Sequence, residues 1–270
     1  MIILLSLFIA GSVFASPFRQ NISDQELRKH GSEVYAKRCV GCHGVKGDGK
    51  GPASVFLDPK PRNFIPGVFK FKSTPNEALP SDKDLMRTLS HGVLGTSMPN
   101  FRLLPEVSRY AVIQYIKSFS SEWNNKELKM ASLKGAPFPM QDFNNHNTFL
   151  QRAKKGRAHF VENCIVCHGV TGLGNGEGGE GLENDWGYPI KPANLRKPFI
   201  KSGKSVEDIY RVLLSGVAGT PMPAFKDVIS DEDLWDLAAY ILYLRGEEQG
   251  VYKNISKEKL IPEIKASELE

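Results

Sequence analysis

All four cysteines of this 270-residue chain occur in two matching stretches, CVGCH and CIVCH. In each stretch the cysteines are separated by two residues and followed at once by a histidine, giving the sets Cys39, Cys42 and His43, and Cys164, Cys167 and His168. Thiols at this spacing lie on one turn of a helix, and the neighbouring imidazole is a common metal ligand. Each stretch therefore combines two nucleophilic sulfur atoms with one metal-binding nitrogen.

The C-x-x-C-H spacing is typical of covalent haem attachment. The two thiols can add to the two vinyl groups of one porphyrin, and the adjacent histidine then reaches the iron. Zinc sites and redox disulfides also use paired cysteines, but a zinc site needs further ligands that the two stretches do not supply. We predict two haem c groups, attached through Cys39, Cys42, Cys164 and Cys167, with His43 and His168 as iron ligands.

The elements that must position these residues occur twice, about 125 positions apart. The stretch HGVLGTSMPNF in the first half matches SGVAGTPMPAF in the second, and YAVIQYIKSF matches LAAYILYLR, with apolar residues at helical spacing. Ser81 and Ser205 precede matching helical stretches and are predicted helix N-caps. The two halves are therefore predicted to be tandem copies of one helical domain.

With these motifs, each half resembles a class I c-type cytochrome domain, and the whole chain resembles a dihaem cytochrome c with a cytochrome c4-like layout. The similarity covers roughly residues 22–121 and 146–246. It implies an all-α fold of two tandem domains, each a small helical bundle wrapped around one covalently bound haem.

The resemblance also implies a close crossing between the first and last helix of each domain. In this family a glycine on the first helix lets an aromatic residue of the last helix approach. Gly31 and Tyr35 precede the first haem motif, and Gly156 and Phe160 precede the second. Their expected partners on the C-terminal helices are Tyr115 and Tyr240.

An electron-carrying haem needs a second axial ligand, usually methionine or histidine. Of the six methionines, only Met98 and Met222 are equivalent in the repeat, and each precedes a proline that prevents a helix from continuing. We therefore predict that these two side chains are presented from loops as distal ligands. The spare histidines, which have no duplicates, make ligation by two histidines the less favoured alternative; they are His30, His91, His146 and His159.

The orientation of the iron-binding histidine is usually set by a hydrogen bond from its other ring nitrogen. In relatives with short haem-binding domains, the acceptor is the carbonyl of a proline about nine residues beyond the histidine. The resemblance therefore implies Pro52 for the first haem. In the second half the corresponding residue is Glu177, which leaves Pro189, Pro192 or another group as the acceptor.

The first fifteen residues are apolar and place small residues at Val13 and Ala15, as a signal peptidase requires. We predict a secretory signal at 1–15 and hence a periplasmic protein, with an uncleaved anchor facing the periplasm as the alternative. The remaining predicted boundaries are a first cytochrome c domain at 16–121, a linker at 122–145, a second domain at 146–246 and a charged tail at 247–270.

The charge pattern argues against nucleic-acid binding, because the 35 basic residues are interspersed with 30 acidic ones. We predict a carrier of single electrons between redox protein partners, requiring no small-molecule substrate. The alternatives are an electron-transfer subunit of a larger periplasmic oxidoreductase or oxidase, with possible association with a membrane complex, and a dihaem peroxidase-type enzyme. The enzyme is less favoured because both irons are offered a methionine loop.

Overall fold

The computed structural model describes residues 23–246, which form helices joined by long loops. The first half contains α1 (Asp24–Arg38), α2 (Val40–His43), α3 (Asp82–His91) and α4 (Glu106–Lys117). The second contains α5 (Met140–Asn144), α6 (His146–Asn163), α7 (Ile165–His168), α8 (Val206–Ser215) and α9 (Asp231–Leu244). Short 3-10 turns lie at Ser54–Phe56, Ser121–Asn124 and Glu177–Gly179. Within the described residues no β-strand forms, which confirms the all-α prediction.

Local sequence explains where the equivalent helices begin. Ser81 caps α3 and Ser205 caps α8, and each closes a capping box with an aspartate three residues later, as predicted. Such caps satisfy main-chain N–H groups that have no partner in the first turn, and each is worth about 0.5–2 kcal/mol. Both helices end at a glycine with positive φ, Gly92 at 71° and Gly216 at 69°.

The first and last helices of each half cross at a glycine. A Cβ atom on Gly31 would lie 2.2 Å from the main-chain oxygen of Ala111, so α1 contacts the α4 backbone directly. The aromatic partners also meet: the ring centroids of Tyr35 and Tyr115 are 5.4 Å apart. In the second half the α6 and α9 helices cross in the same way at Gly156, with Phe160 and Tyr240 at 5.2 Å. The expected helix crossing is confirmed in both halves.

The second half has the larger core, because part of the predicted linker packs against it. The side chains of α9 are buried over Leu234–Leu244, as expected for a helix enclosed on every side. Trp235 stacks on Tyr210 with ring centroids 3.8 Å apart, and its ring N–H donates to the carbonyl of Ala136. Residues 133–143 therefore act as a strap across this core instead of a free connection.

The two halves contact each other through loops and through the last residue of α8. The N–H of Leu94 donates to the carbonyl of Lys201 at 3.1 Å, and the hydroxyl of Ser215 donates to the carbonyl of Lys72 at 2.8 Å. The guanidinium of Arg62 lies 3.9 Å from the ring centroid of Trp186. Each half therefore supplies surface on which the other half packs.

No helix within residues 23–246 is long and apolar enough to cross a membrane. The predicted signal segment at 1–15 and the charged tail at 247–270 lie outside the described residues.

Candidate haem sites

Each C-x-x-C-H stretch folds into one short helical turn. Cys39 ends α1 and starts α2, where its carbonyl accepts a hydrogen bond from the His43 N–H at 2.9 Å. Cys164 has nearly the same dihedral angles, φ −122° and ψ −30°, and its carbonyl accepts from His168 at 2.8 Å. The predicted geometry, with two thiols and one imidazole on a single turn, is present in both halves.

Both motif histidines are held by a main-chain carbonyl. Nδ1 of His43 lies 3.0 Å from the Arg62 oxygen, and Nδ1 of His168 lies 3.0 Å from the Ala193 oxygen. Because a carbonyl can only accept, Nδ1 carries the proton and Nε2 keeps its lone pair. Burial lowers the pKa of both imidazoles, which favours the neutral form that binds a metal.

The acceptor predicted for the first haem was wrong, since Arg62 and not Pro52 provides the carbonyl. The N–H groups of Gly51 and Ala53 donate to the carbonyls of Cys42 and Gly41, so the segment around Pro52 runs along the back of α2 and leaves that proline exposed. The chain returns to the imidazole only after Pro61. A signal for this acceptor was present in the repeat, because Pro61-Arg62-Asn63 matches Pro192-Ala193-Asn194.

The two methionine loops have the same internal hydrogen bonds. The Thr96 hydroxyl donates to the Val93 carbonyl at 2.8 Å and accepts from the Met98 N–H at 3.1 Å. In the second loop, Thr220 makes the same pair of contacts, with the Val217 carbonyl at 2.7 Å and the Met222 N–H at 3.3 Å. These contacts fix the backbone on both sides of the methionine without a helix.

A cavity of about 330 Å³ in the first half brings the predicted site residues together. Cys39, Cys42, His43 and Met98 all border it. Most of the remaining border is apolar, which suits a large flat hydrophobic ligand; it includes Phe64, Phe69, Leu85, Leu89, Val93 and Ile113. In the second half, Met222 packs against the core cluster that contains Cys164.

Three of the four spare histidines have other contacts. Nε2 of His30 lies 2.9 Å from the Ser108 hydroxyl, and Nδ1 of His91 donates to the Arg87 carbonyl. His159 lies 3.7 Å from Asp233. None of these three, nor His146, is among the residues that border the first cavity.

Sequence reasoning missed the aromatic residue of this site that contacts the imidazole, Phe64. Its ring is stacked on the His43 imidazole, with centroids 4.6 Å apart and an interplanar angle of 19°. Phe64 follows the Pro61-Arg62-Asn63 segment that supplies the carbonyl, so one loop both orients and packs the imidazole. Its repeat counterpart is the buried Leu195.

Two of the four cysteines have thiols that are poorly suited to zinc binding or thiol exchange. Burial raises the pKa of the Cys39 thiol to about 11 and that of the Cys164 thiol to about 12, whereas both chemistries need a thiolate. Within the described residues, no cluster of three or more histidine, cysteine, aspartate or glutamate side chains could hold a metal ion. The apolar cavity and the C-x-x-C-H turn fit a haem instead.

Comparison with known proteins finds one family model that matches each half. The family model for cytochrome c matches residues 29–120, and the model for cytochrome c oxidase, cbb3-type, subunit III matches residues 151–241. Among curated proteins, the chain is 27% identical over 168 residues to the cbb3-type cytochrome c oxidase subunit FixP of Azorhizobium caulinodans. That match covers 62% of this chain and 50% of FixP.

Cytochrome c55X of Paracoccus denitrificans is 34% identical over 85 residues, which cover 31% of this chain and 67% of that protein. Among solved structures, a chain of the reducing HAO-like protein complex of Kuenenia stuttgartiensis is 38% identical, with a TM-score of 0.71. The match covers 80% of this chain and 96% of that one. The chain therefore belongs to the c-type cytochromes, as a dihaem member whose two tandem cytochrome c domains carry two covalently bound haem c groups and transfer electrons.

Proposed function

We propose that this protein carries single electrons between redox protein partners in the periplasm, through one haem ligated by His43 and Met98 and another ligated by His168 and Met222. The observation that carries the proposal is the duplication of the whole constellation. In both halves a C-x-x-C-H turn, a histidine held by a main-chain carbonyl and a methionine loop with the same threonine contacts occur together.

A haem bound at each turn supplies the one-electron iron couple. The protein keeps the iron ligands in fixed positions, because electron transfer is fast when the ligands move little between the oxidised and reduced states. The Arg62 carbonyl fixes the His43 ring, and Phe64 packs against its face. The Thr96 hydroxyl fixes the loop that carries Met98. The mainly apolar border of the first cavity, together with methionine ligation, favours the reduced iron.

A carrier is favoured over an enzyme because both halves offer a methionine in the same loop geometry. Catalysis at a haem requires a position on the iron that a substrate can reach. The Val93 N–H donates to the Met98 carbonyl at 3.1 Å, and the Val217 N–H donates to the Met222 carbonyl at 3.1 Å. The two methionine loops are therefore held by the same main-chain hydrogen bond, and this bond gives no reason to expect an open iron position in one half.

The ligand assignment is tested by near-infrared absorption of the oxidised holoprotein, where methionine-ligated haem has a weak charge-transfer band. We expect Met98→Ala and Met222→Ala each to remove about half of this band, which is one haem's share of two. Met86→Ala is the matched control, because Met86 is also partly buried against the first core. An undiminished band in either ligand variant, or a high-spin haem in the wild type, contradicts the proposal.

A second candidate, an electron-transfer subunit of a larger complex, is supported by the relatives. FixP is named as a subunit of a cbb3-type oxidase, and the similar solved chain comes from an HAO-like complex. Affinity purification from the native host under mild detergent separates the two candidates. A stoichiometric redox partner retained through gel filtration supports the subunit, whereas a monodisperse single chain with its two haems supports the free carrier. Release of the protein by osmotic shock tests the periplasmic location.

A further inference from the structure

Five basic side chains border the first cavity; two of them are Arg38 and Lys60, and the other three form a cluster that joins the two halves of the chain. Arg62 and Lys70 belong to the first half and Lys201 to the second. Within residues 23–246 none of the three forms an ion pair at salt-bridge distance, although Asp185 acts on Arg62 and Lys70 from further away. The cavity that brings Cys39, Cys42, His43 and Met98 together thus has an excess of positive charge along part of its border.

Holding these three positive charges close together raises the free energy of the folded protein unless a negative charge lies near them. Burial, together with the neighbouring charges of Arg62 and Lys201, lowers the pKa of Lys70 to about 8. Burial also lowers the pKa of Arg62 to about 10. Like charges gathered at a partly buried border are offset by an anion bound among them.

The second half holds Lys201 at this border through its main chain. The Lys201 carbonyl accepts from the N–H of Leu94, in the loop that leads to Met98. Phe199 packs against the next residue, Gly95, where an added Cβ would lie 3.0 Å from the ring. The Arg62 guanidinium is positioned from the same side, over the ring of Trp186.

We propose that Arg62, Lys70 and Lys201 bind the two propionate carboxylates of the first haem, so that the second half of the chain completes the haem site of the first. Haem c carries two carboxylates besides the vinyl groups used for attachment, and the cavity offers guanidinium and ammonium donors to match them. This proposal rests on the first haem lying in the cavity between His43 and Met98.

The test uses the effect of a nearby positive charge on the reduction potential of the haem. Removing a cation beside the haem favours the more positive, oxidised iron and therefore lowers the reduction potential. We expect Lys201→Gln to shift the oxidised-to-reduced ratio of the first haem about tenfold at a fixed potential, or about 59 mV for one electron. The second haem should move less. Potentiometric titration of the full dihaem chain measures both waves, and Met98→Ala identifies the wave of the first haem.

Lys204→Gln is the matched control, since Lys204 is also exposed, lies in the same segment and is not among the residues bordering the cavity. We expect it to leave both waves in place, and Trp186→Leu to lower the first wave through Arg62. Equal shifts in Lys201→Gln and Lys204→Gln, or no shift in Lys201→Gln, overturn the proposal. The near-infrared band distinguishes this failure from a failure of the ligand assignment. Lys201→Gln should keep the full band whether or not Lys201 binds a propionate, because the iron ligands are unchanged.

Discussion

Replacing Gly156 by alanine would place a methyl carbon 1.9 Å from the main-chain oxygen of Asp236 and 2.3 Å from its carbonyl carbon. The φ angle of Gly156 is not positive, so alanine fits the backbone of α6 and the conflict is entirely steric. The atoms in the way belong to the α9 backbone, which cannot rotate aside as a side chain does. The two helices must therefore separate for the methyl group to fit.

The size of the effect follows from two opposing terms. Alanine is a better helix former than glycine by up to about 1 kcal/mol, which would stabilise the variant. Ordinary contact begins near 3.4 Å, so α9 must retreat by about 1.5 Å, the difference between 3.4 and 1.9 Å. Overpacking of this kind costs about 1–3 kcal/mol or more, and here it opens the larger of the two cores. We expect a net loss of about 2 kcal/mol, which corresponds to about 8–16 °C in the melting temperature of a domain of this size.

Thermal unfolding of the full holoprotein, followed by far-UV circular dichroism, measures this loss. Gly31→Ala should lower the melting temperature of the first half in the same way, since its added Cβ would lie 2.2 Å from the Ala111 oxygen. Gly41→Ala is the control: this glycine is in α2, but an added Cβ would meet nothing within 4 Å. We expect the control to melt at or above the temperature of the wild type.

The steric argument fails if Gly156→Ala melts together with the wild type and the control. It also fails if all three alanine variants lose stability equally, because that result would point to a general effect of glycine replacement. The helix crossing predicted from the family resemblance would then not depend on glycine in this chain.

Two further changes test the site and the second core. Thr96→Val removes two hydrogen bonds around Met98, each worth about 0.5–1.5 kcal/mol. Added imidazole should therefore displace Met98 from the iron at about tenfold lower concentration than in the wild type. The control Thr96→Ser, which keeps the hydroxyl, should require the same imidazole concentration as the wild type. Arg152→Met removes the ion-pair partner of Asp236, whose side chain is only 4% exposed. We expect chemical denaturation to show a loss of about 3 kcal/mol in the free energy of unfolding. Lys154→Met is the control and should show no such loss. Burial already raises the pKa of Asp236. A carboxyl with a raised pKa in the folded state takes up protons on folding, so lower pH favours the folded state. The loss of unfolding free energy caused by Arg152→Met should therefore become smaller as the pH falls towards 4. A loss that does not change with pH would contradict this.

Features that depend on neighbouring residues were predicted well from sequence. The C-x-x-C-H turns, the serine caps of α3 and α8 and the loop conformation around Met98 and Met222 are each specified within a few residues. The helix crossing was predicted from the resemblance, because the glycines and aromatics recur at matching places. The ligand roles of Met98 and Met222 remain a prediction, which their shared loop geometry supports.

Features that depend on distant residues were not predicted. The His43 ring is oriented by a carbonyl 19 residues away, and the family's shorter spacing led to Pro52. The strap at residues 133–143 was predicted to be part of a linker because the segment has mixed polarity, with proline and glycine near its end. Its role appears only when Trp235 and Tyr210 are placed against it.

Residue types and local spacing by themselves determined that this chain carries two haems, that its halves are copies and that each offers a methionine loop. The haem motifs rest on covalent chemistry within one turn, and the copies and their methionine loops are recognised from residue order alone, so none of these properties requires knowledge of how the chain packs. Only the tertiary structure decided which carbonyl holds each histidine, and that Lys201 of the second half borders the cavity of the first. Such contacts arise when the separate helical units pack together, and the spacing within either unit does not specify how their surfaces meet.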